Sequence, residues 1–272
     1  MMIGPAGSGK STLCHVLQEI GDTNKRNFKI VNLDPAAEVF KYRCSLDIRD
    51  MVALDDVQEL MNFGPNGGLV YCMEYLIENI DEFLKDLSEF EDESFIIFDC
   101  PGQIELYSHL DVMTRLTKAI TNAGFNLCSI YCADGTYINE PSKYVSACLT
   151  SLSTMTQISL PHLNVLTKCD KVQDKELLER MSTLNYEDCF SSENSFFNKK
   201  YMGLHQKLFE VIENFNLVQF THSDIQDEDS IQNIIMHLDN LVQYDEYRMP
   251  KDGAFLDNQE GPEENEGREV SG

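Results

Sequence analysis

A glycine-rich segment near the start of the chain constrains the fold more than any other feature. Residues 4–11, Gly-Pro-Ala-Gly-Ser-Gly-Lys-Ser, are followed by apolar residues at helical spacing. Glycines let successive backbone N–H groups turn inward into an anion nest, toward which a following helix directs its positive N-terminus. The pattern predicts a phosphate-binding loop, with a simple glycine turn as the alternative. The residues expected to bind the phosphates are Gly7, Ser8, Gly9, Lys10, Ser11 and Thr12, and the Ser11 hydroxyl is also expected to bind Mg²⁺.

Apolar runs alternate with segments of helical period along most of the chain. The predominantly apolar runs are typical of strands covered on both faces, and they lie at residues 28–33, 94–98, 125–132, 162–166 and 215–220. Apolar residues at helical spacing lie at 69–87, 144–155, 204–215 and 231–238. This alternation predicts an α/β fold with an open, mainly parallel sheet and helices on both faces.

The same pattern divides the chain into a domain and a tail. We assign residues 1–247 to the domain, with an aperiodic insertion near 182–200. Only Met1, Met2 and Ile3 precede the glycine-rich segment, which predicts either an unusually short first strand or a sequence that starts late relative to a longer form. Residues 248–272 are acidic and lack an apolar pattern, so we expect a disordered tail that either aids solubility or docks a basic partner.

Two carboxylates follow predicted strands. Asp99 ends the run 94–98 and begins Asp-Cys-Pro-Gly, while Asp34 ends the run 28–33. An Asp at this position binds Mg²⁺ and the Gly102 amide reaches the terminal phosphate, so Asp99 and Asp34 are the expected metal ligands. Either residue could instead cap a helix or form a turn. Gln103 and Glu105 follow closely and could orient the attacking water, or simply begin a surface helix.

A third motif follows another apolar run. Residues 164–170 are Asn-Val-Leu-Thr-Lys-Cys-Asp, which contains Thr167, Lys168 and Asp170. The two oxygens of one carboxylate match the adjacent N1–H and 2-amino donors of guanine, a pair that adenine lacks. Asp170 is therefore expected to select GTP over ATP, and the Lys168 stem to lie along the base. This third motif alone is weak evidence, but the three motifs in this order, each at a strand end, are specific.

The net charge limits the kinds of partner that the chain can bind, and the cysteines indicate the cellular compartment. The chain has 21 Lys and Arg against 46 Asp and Glu, a net charge of −25. Such a surface disfavours broad contact with nucleic acid or with an anionic membrane, and no apolar run is long enough to span one. The nine cysteines lack metal-type spacing and are expected to be reduced thiols in a cytosolic or nuclear protein.

A further segment, at residues 63–68, points to one family among the nucleotide-binding proteins. Residues 63–68, Phe-Gly-Pro-Asn-Gly-Gly, resemble the Gly-Pro-Asn insertion of the GPN-loop GTPases. The segments 32–38, 63–75 and 99–105 are similar to that family's motifs, and the resemblance spans roughly residues 3–245. The alternative for residues 63–68 is an ordinary turn between helices.

The resemblance implies a P-loop domain of the SIMIBI type that hydrolyses GTP with Mg²⁺ as a dimer. It implies that Asn66 reaches the partner's phosphate site, and that Asp34, Gln103 and Glu105 handle the metal and the hydrolytic water. The implied partners are a second copy or a paralogous GPN-loop GTPase, with RNA polymerase II subunits as the client. The implied role is polymerase assembly and nuclear import by a cytoplasmic protein, with shuttling to the nucleus. Residues 220–223 differ from the family's base-side loop, so we assign no base contact there.

Two other function classes stay open at this point. The chain could be a GTP-holding binding module with little turnover that pairs with a paralogue. A P-loop kinase is the weaker option because the arginines Arg43, Arg49, Arg115 and Arg180 are scattered rather than grouped in a lid.

Overall fold

Seven parallel strands form one sheet in the computed structural model, which describes residues 1–91, 93–176, 178, 203–204, 206–212 and 218–244. The spatial order is β3-β2-β4-β1-β5-β6-β7. The strands are β1 (Met2–Ile3), β2 (Phe28–Asn32), β3 (Cys44–Asp47), β4 (Phe95–Asp99), β5 (Ser129–Asp134), β6 (His162–Thr167) and β7 (Phe220–His222). The predicted α/β class and parallel sheet are confirmed.

Helices cover both faces of this sheet. They are α1 (Lys10–Thr23), α2 (Leu54–Met61), α3 (Pro65–Glu78), α4 (Ile80–Ser88), α5 (Glu105–Ser108), α6 (Val112–Asn122), α7 (Pro141–Ile158) and α8 (Glu228–Val242). Leu13 and Leu17 of α1 and Ile234 of α8 pack in one apolar core. Apolar residues of α3, α4, α6 and α7 pack in a second core on the other face. Alternate residues of each strand point to opposite faces, so both cores can be filled from the same apolar strands.

Strand β1, at the centre of the sheet, comprises Met2–Ile3. Met2 pairs with Asp99 of β4 and with Ile130 of β5. The Met1 nitrogen donates a hydrogen bond of 2.7 Å to the Cys128 carbonyl. Below β1, between β4 and β5, lies an apolar cavity of about 710 Å³ that Met1 and Met2 help to line. The phosphate loop is therefore joined to the sheet through very few residues.

Three local predictions are corrected by the structure. The strand predicted at 125–132 is Ser129–Asp134, because its partner β6 begins only after Pro161, which has no N–H for a ladder. The single helix expected at 69–87 is two helices separated at Asn79, whose side-chain amide donates to the Tyr75 carbonyl. The short strand β3 was not predicted, since its four residues at the sheet edge carry no continuous apolar run.

Several predictions concern segments outside the described residues. These are the insertion near 182–200 and the tail at 248–272, so the domain assignment stays a prediction. Of the strand predicted at 215–220, residues 215–217 lie outside the described residues, residues 218 and 219 are irregular, and Phe220 begins β7. No helix among the described residues has the length and apolar character that crossing a bilayer requires. The eight cysteines in the described part of the chain are free thiols, and all but Cys44 are buried.

Candidate nucleotide site

The sequence motifs meet at the carboxyl edge of the sheet. The glycine-rich loop follows β1, Asp34 follows β2, Asp99 ends β4 and the segment 167–170 ends β6. Because all strands are parallel, these four ends lie at the same edge, where open α/β sheets bind their ligands. The structure thus brings together the three motifs that the sequence separates by more than 60 residues each.

The glycine-rich loop has the backbone that a phosphate nest needs. Gly4 has φ +137°, and a Cβ there would lie 2.4 Å from the Cys132 carbonyl oxygen, so this position excludes other residues. The Lys10 ammonium donates to the Gly4 and Pro5 carbonyls at 3.0 and 3.1 Å. The Ser8 hydroxyl is buried and has no hydrogen-bond partner among the described residues. A buried, unpaired donor inside such a loop is available to a bound anion.

The loop is closed on its far side by Gly102. A Cβ at Gly102 would lie 2.8 Å from Cα and 3.0 Å from the backbone nitrogen of Ala6. The backbone after β4 therefore touches the backbone of the phosphate loop. This contact brings residue 102 against the phosphate loop, and the expected reach of its amide to the terminal phosphate stays a prediction.

Asp99 has the environment expected of a metal-linked carboxylate. It is only 3 % exposed, and its Oδ2 accepts a 2.9 Å hydrogen bond from the Tyr42 hydroxyl. Its Oδ1 accepts no hydrogen bond in the described structure. Burial raises the pKa of Asp99, and the Ser11 and Tyr42 hydroxyls and the Lys10 charge oppose that rise. A buried oxygen without a partner, beside Ser11, fits a cation or its water ligands.

Asp34 is the second carboxylate at this edge. Its Oδ1 accepts a hydrogen bond of 2.9 Å from the Ala36 amide, and its own amide donates to the Asn32 side chain at 3.0 Å. Burial raises the pKa of Asp34, while Ala36, Lys10 and Arg49 lower it. Among the described residues no cluster of three or more His, Cys, Asp or Glu could hold a metal alone. A Mg²⁺ ion here would share ligands between Ser11, these carboxylates and phosphate oxygens, which is its usual mode of binding.

The base-side motif packs directly on the phosphate loop. Thr167 is buried, and its hydroxyl donates to the backbone carbonyls of Ser8 and Ala133. The Lys168 ammonium donates to the Gly7 carbonyl at 2.7 Å and to Asp134 at 2.6 Å. Asp170 is half-buried in the turn that follows. Asp170 therefore lies two residues after Lys168, which contacts the phosphate loop, and its contact with a base stays a prediction.

The Gly-Pro-Asn segment begins a helix rather than forming a turn alone. Gly64 precedes α3, Pro65 is its first residue and Asn66 lies exposed in its first turn, where proline is favoured. The Gln103 side-chain amide donates to the Asn66 Oδ1 at 2.9 Å. The structure therefore joins two of the residues expected to act in hydrolysis. Glu105 is exposed at the start of α5, and no hydrogen bond links it to the others.

Sequence reasoning missed two residues at this site. Tyr42 holds Asp99, yet it lies in an irregular segment and no motif marks it. Asp134 ends β5 and binds Lys168, which lowers its pKa although burial opposes the shift. Asp134 could have been found, because an acidic residue followed by Gly135 ends an apolar run.

The fold and the site together define a P-loop nucleotide-binding protein of the α/β class. A family model described as "Conserved hypothetical ATP binding protein" matches residues 2–244. GPN-loop GTPase 3 of Dictyostelium discoideum is 41 % identical over 255 residues, which cover 93 % of this chain and 89 % of the relative. GPN-loop GTPase 3 of Saccharomyces cerevisiae is 40 % identical over 258 residues, covering 93 % and 94 %. This chain belongs to the GPN-loop GTPase family, which confirms the resemblance found in the sequence.

A solved structure supports the fold independently. The apo-form crystal structure of a GTPase from Pyrococcus abyssi matches with a TM-score of 0.71 and 20 % sequence identity. The match covers 88 % of this chain and 95 % of that one. At this level of identity the comparison establishes a shared fold.

Proposed function

We propose that this chain binds GTP with Mg²⁺ and hydrolyses it to GDP and phosphate. The observation that carries the proposal is the contact between Gly102 and the Ala6 backbone, which brings the Asp99 motif against the phosphate loop. Two nucleotide-binding motifs that touch through backbone atoms form one site. Membership in the GPN-loop GTPase family supports the same activity.

Some residues of the site bind the phosphates, and others bind the metal ion that neutralises their charge. The loop amides and Lys10 hold the phosphates, and Ser11, Asp34 and Asp99 hold Mg²⁺. Bound Mg²⁺ supplies positive charge to the phosphate oxygens that become more negative in phosphoryl transfer. Gln103, whose side-chain amide donates to Asn66, follows the Asp99 motif and is the residue that can orient the attacking water.

Asp170 determines which base is bound. The description of the matching family model mentions ATP, whereas the names of the relatives specify GTP hydrolysis. A carboxylate offers only acceptors, which suits the two donors on the edge of guanine. A site built for a hydrogen bond discriminates strongly against a partner that lacks it, by up to about 10⁴-fold.

The test compares GTP and ATP hydrolysis by the purified protein and by Asp170→Asn. The wild type should prefer GTP, and the variant should lose that preference because an amide presents a donor to the base. Asp229→Asn, at an exposed position in the first turn of α8, is the matched control. An ATP preference in the wild type, or unchanged base selectivity in Asp170→Asn, would contradict the proposal.

We further propose that the protein works as a dimer, with itself or with a paralogous GPN-loop GTPase. Large apolar side chains are exposed just before the Gly-Pro-Asn segment, namely Leu60 (84 %), Met61 (47 %) and Phe63 (43 %), and Val39 (88 %) is exposed in the segment after β2. Apolar groups concentrated beside a functional segment favour a protein interface. In a dimer, Asn66 would act in the site of the partner subunit and hydrolysis would depend on how the two chains meet.

Light scattering on the protein with a GTP analogue and with GDP tests the dimer. The particle mass should double in at least the GTP-analogue state, and Phe63→Ser should reduce dimerisation. Met236→Ser changes an exposed apolar residue on α8 and serves as the control. A monomer in both nucleotide states of the wild type would refute the dimer.

One observation favours the second function, a GTP-holding module with little turnover of its own. The Gln103–Asn66 hydrogen bond engages both amides with each other within one chain. If this contact persists with nucleotide bound, Asn66 stays held against its own chain and cannot reach the phosphate site of a partner. Single-turnover measurements with and without a paralogue separate the two functions, because fast turnover by the chain alone excludes the second.

We propose assembly and nuclear import of RNA polymerase II as the cellular role, on the basis of the family resemblance. The net charge of −25 suits a basic protein client better than direct contact with nucleic acid or a membrane. On this proposal the protein is cytoplasmic and shuttles to the nucleus. Depletion of the protein should leave polymerase subunits in the cytoplasm, and unchanged nuclear polymerase would contradict the role.

A further inference from the structure

The Tyr42 hydroxyl donates a hydrogen bond of 2.9 Å to Asp99 in a buried contact. Tyr42 is 5 % exposed and packs in the core beneath α1 together with Leu13 and Leu17. The hydroxyl of a buried tyrosine normally finds a partner, and here that partner is a carboxylate of the proposed metal site. No sequence motif identifies this residue.

The hydrogen bond makes the two oxygens of Asp99 different. Oδ2 is occupied by the Tyr42 hydroxyl at 2.9 Å, whereas Oδ1 has no partner in the described structure. A carboxylate held by one oxygen cannot turn without breaking that bond. Oδ1 is therefore the oxygen left for Mg²⁺ or for one of its water ligands.

The Tyr42 ring is itself held in place by its neighbours. It stacks on Phe40, with ring centroids 5.0 Å apart and an angle of 23°. The Arg49 guanidinium lies over the other ring, 4.5 Å from the Phe40 centroid, and donates to the Ala37 carbonyl at 2.7 Å. Arg49 is fixed in turn by its ion pair with Asp47. The segment between Asp34 and β3 is thus packed so that the Tyr42 hydroxyl points at Asp99.

We propose that Tyr42 is a positioning residue of the metal site, which orients Asp99 and so sets the affinity of the nucleotide complex for Mg²⁺. The proposal rests on the proposed function, since it requires that Asp99 serves a Mg²⁺–nucleotide complex. Partners that orient a metal-linked carboxylate commonly contribute 10- to 100-fold to metal affinity. Through the Phe40 and Arg49 contacts, Tyr42 also links the conformation of residues 34–47 to metal binding.

The experiment measures how much Mg²⁺ is needed to retain a fluorescent GTP analogue. Tyr42→Phe removes only the hydroxyl and keeps the ring that stacks on Phe40. Tyr131→Phe removes another buried phenol hydroxyl, from the core on the opposite face of the sheet, and is the matched control. Analogue binding is also measured in EDTA, and melting temperatures are compared for the three proteins.

The Mg²⁺ concentration for half-maximal retention should rise about 10-fold in Tyr42→Phe. The affinity of Tyr42→Phe for the analogue in EDTA should stay within about twofold of wild type, and so should the Mg²⁺ requirement of Tyr131→Phe. A merely structural loss would affect these quantities as well. The inference is overturned if Tyr42→Phe needs no more Mg²⁺ than wild type, or if metal-free binding weakens by the same factor. A wild type that retains the analogue without any Mg²⁺ dependence would overturn the proposed function together with the inference.

Discussion

Replacing Gly102 by alanine tests the contact on which the proposed function depends. The new Cβ would lie 2.8 Å from the Ala6 Cα, whereas ordinary contacts begin at 3.4 Å, so the two backbones must separate by about 0.6 Å. The neighbour is backbone of the phosphate loop and cannot swing aside as a long side chain would. Overpacking of this kind costs about 1–3 kcal/mol. If the free loop relaxes and the bound loop cannot, GTP affinity falls by about 5- to 150-fold.

Titration with a fluorescent GTP analogue measures the affinity, and thermal unfolding without nucleotide measures the stability of the free protein. Gly203→Ala is the control, because a Cβ at Gly203 meets nothing within 4 Å. The reasoning predicts weak binding by Gly102→Ala with a melting temperature near that of wild type, and normal binding by Gly203→Ala. Binding by Gly102→Ala within twofold of wild type would show that the two backbones do not touch in the nucleotide-bound protein.

Further substitutions test other parts of the structure. Lys10→Ala should abolish GTP binding without unfolding the protein, which the same titration and a melting curve will establish. Asn66→Ala should keep GTP affinity and slow hydrolysis, and normal turnover in a phosphate-release assay would exclude a role for Asn66. Arg26 pairs with Asp239 through two hydrogen bonds of 2.7 and 2.8 Å, so Arg26→Ala should lower the free energy of unfolding by about 1–3 kcal/mol in urea titrations. Burial lowers the pKa of His162 to about 4. Between pH 6.5 and 4 this histidine is therefore protonated in the unfolded chain and neutral in the folded chain. Stability should therefore fall by about 2 kcal/mol more between pH 7.5 and 5 in wild type than in His162→Gln.

The sequence predicts the site well where a motif coincides with the end of a strand. Asp99 and Thr167 each end a short apolar strand, and Lys10 begins the helix after the loop that follows β1. Parallel strands bring such ends to one edge whatever the intervening chain does. Their relative positions therefore follow from topology, which the alternation of strands and helices already indicates. The Gly102–Ala6 contact follows from the same arrangement, because Gly102 follows β4 and Ala6 follows the neighbouring strand β1.

The parts that sequence reasoning missed depend on packing at a distance. The Tyr42 hydroxyl reaches Asp99, 57 residues away along the chain, only after an irregular segment folds onto α1. The apolar stripe at 69–87 continues across Asn79, and the break between α3 and α4 comes from a local side-chain hydrogen bond that periodicity does not detect. The edge strand β3 pairs with one neighbour only, so half-exposed residues suffice to form it.

The distribution of the cysteines has a practical consequence for the experiments above. Seven of the eight cysteines in the described part of the chain are buried, and Cys44, at the start of β3, is partly exposed. Among these eight, a thiol-reactive fluorophore therefore reaches Cys44 first. Because β3 follows the segment that carries Tyr42, such a label would report on the conformation of residues 34–47 and would leave the phosphate loop unchanged.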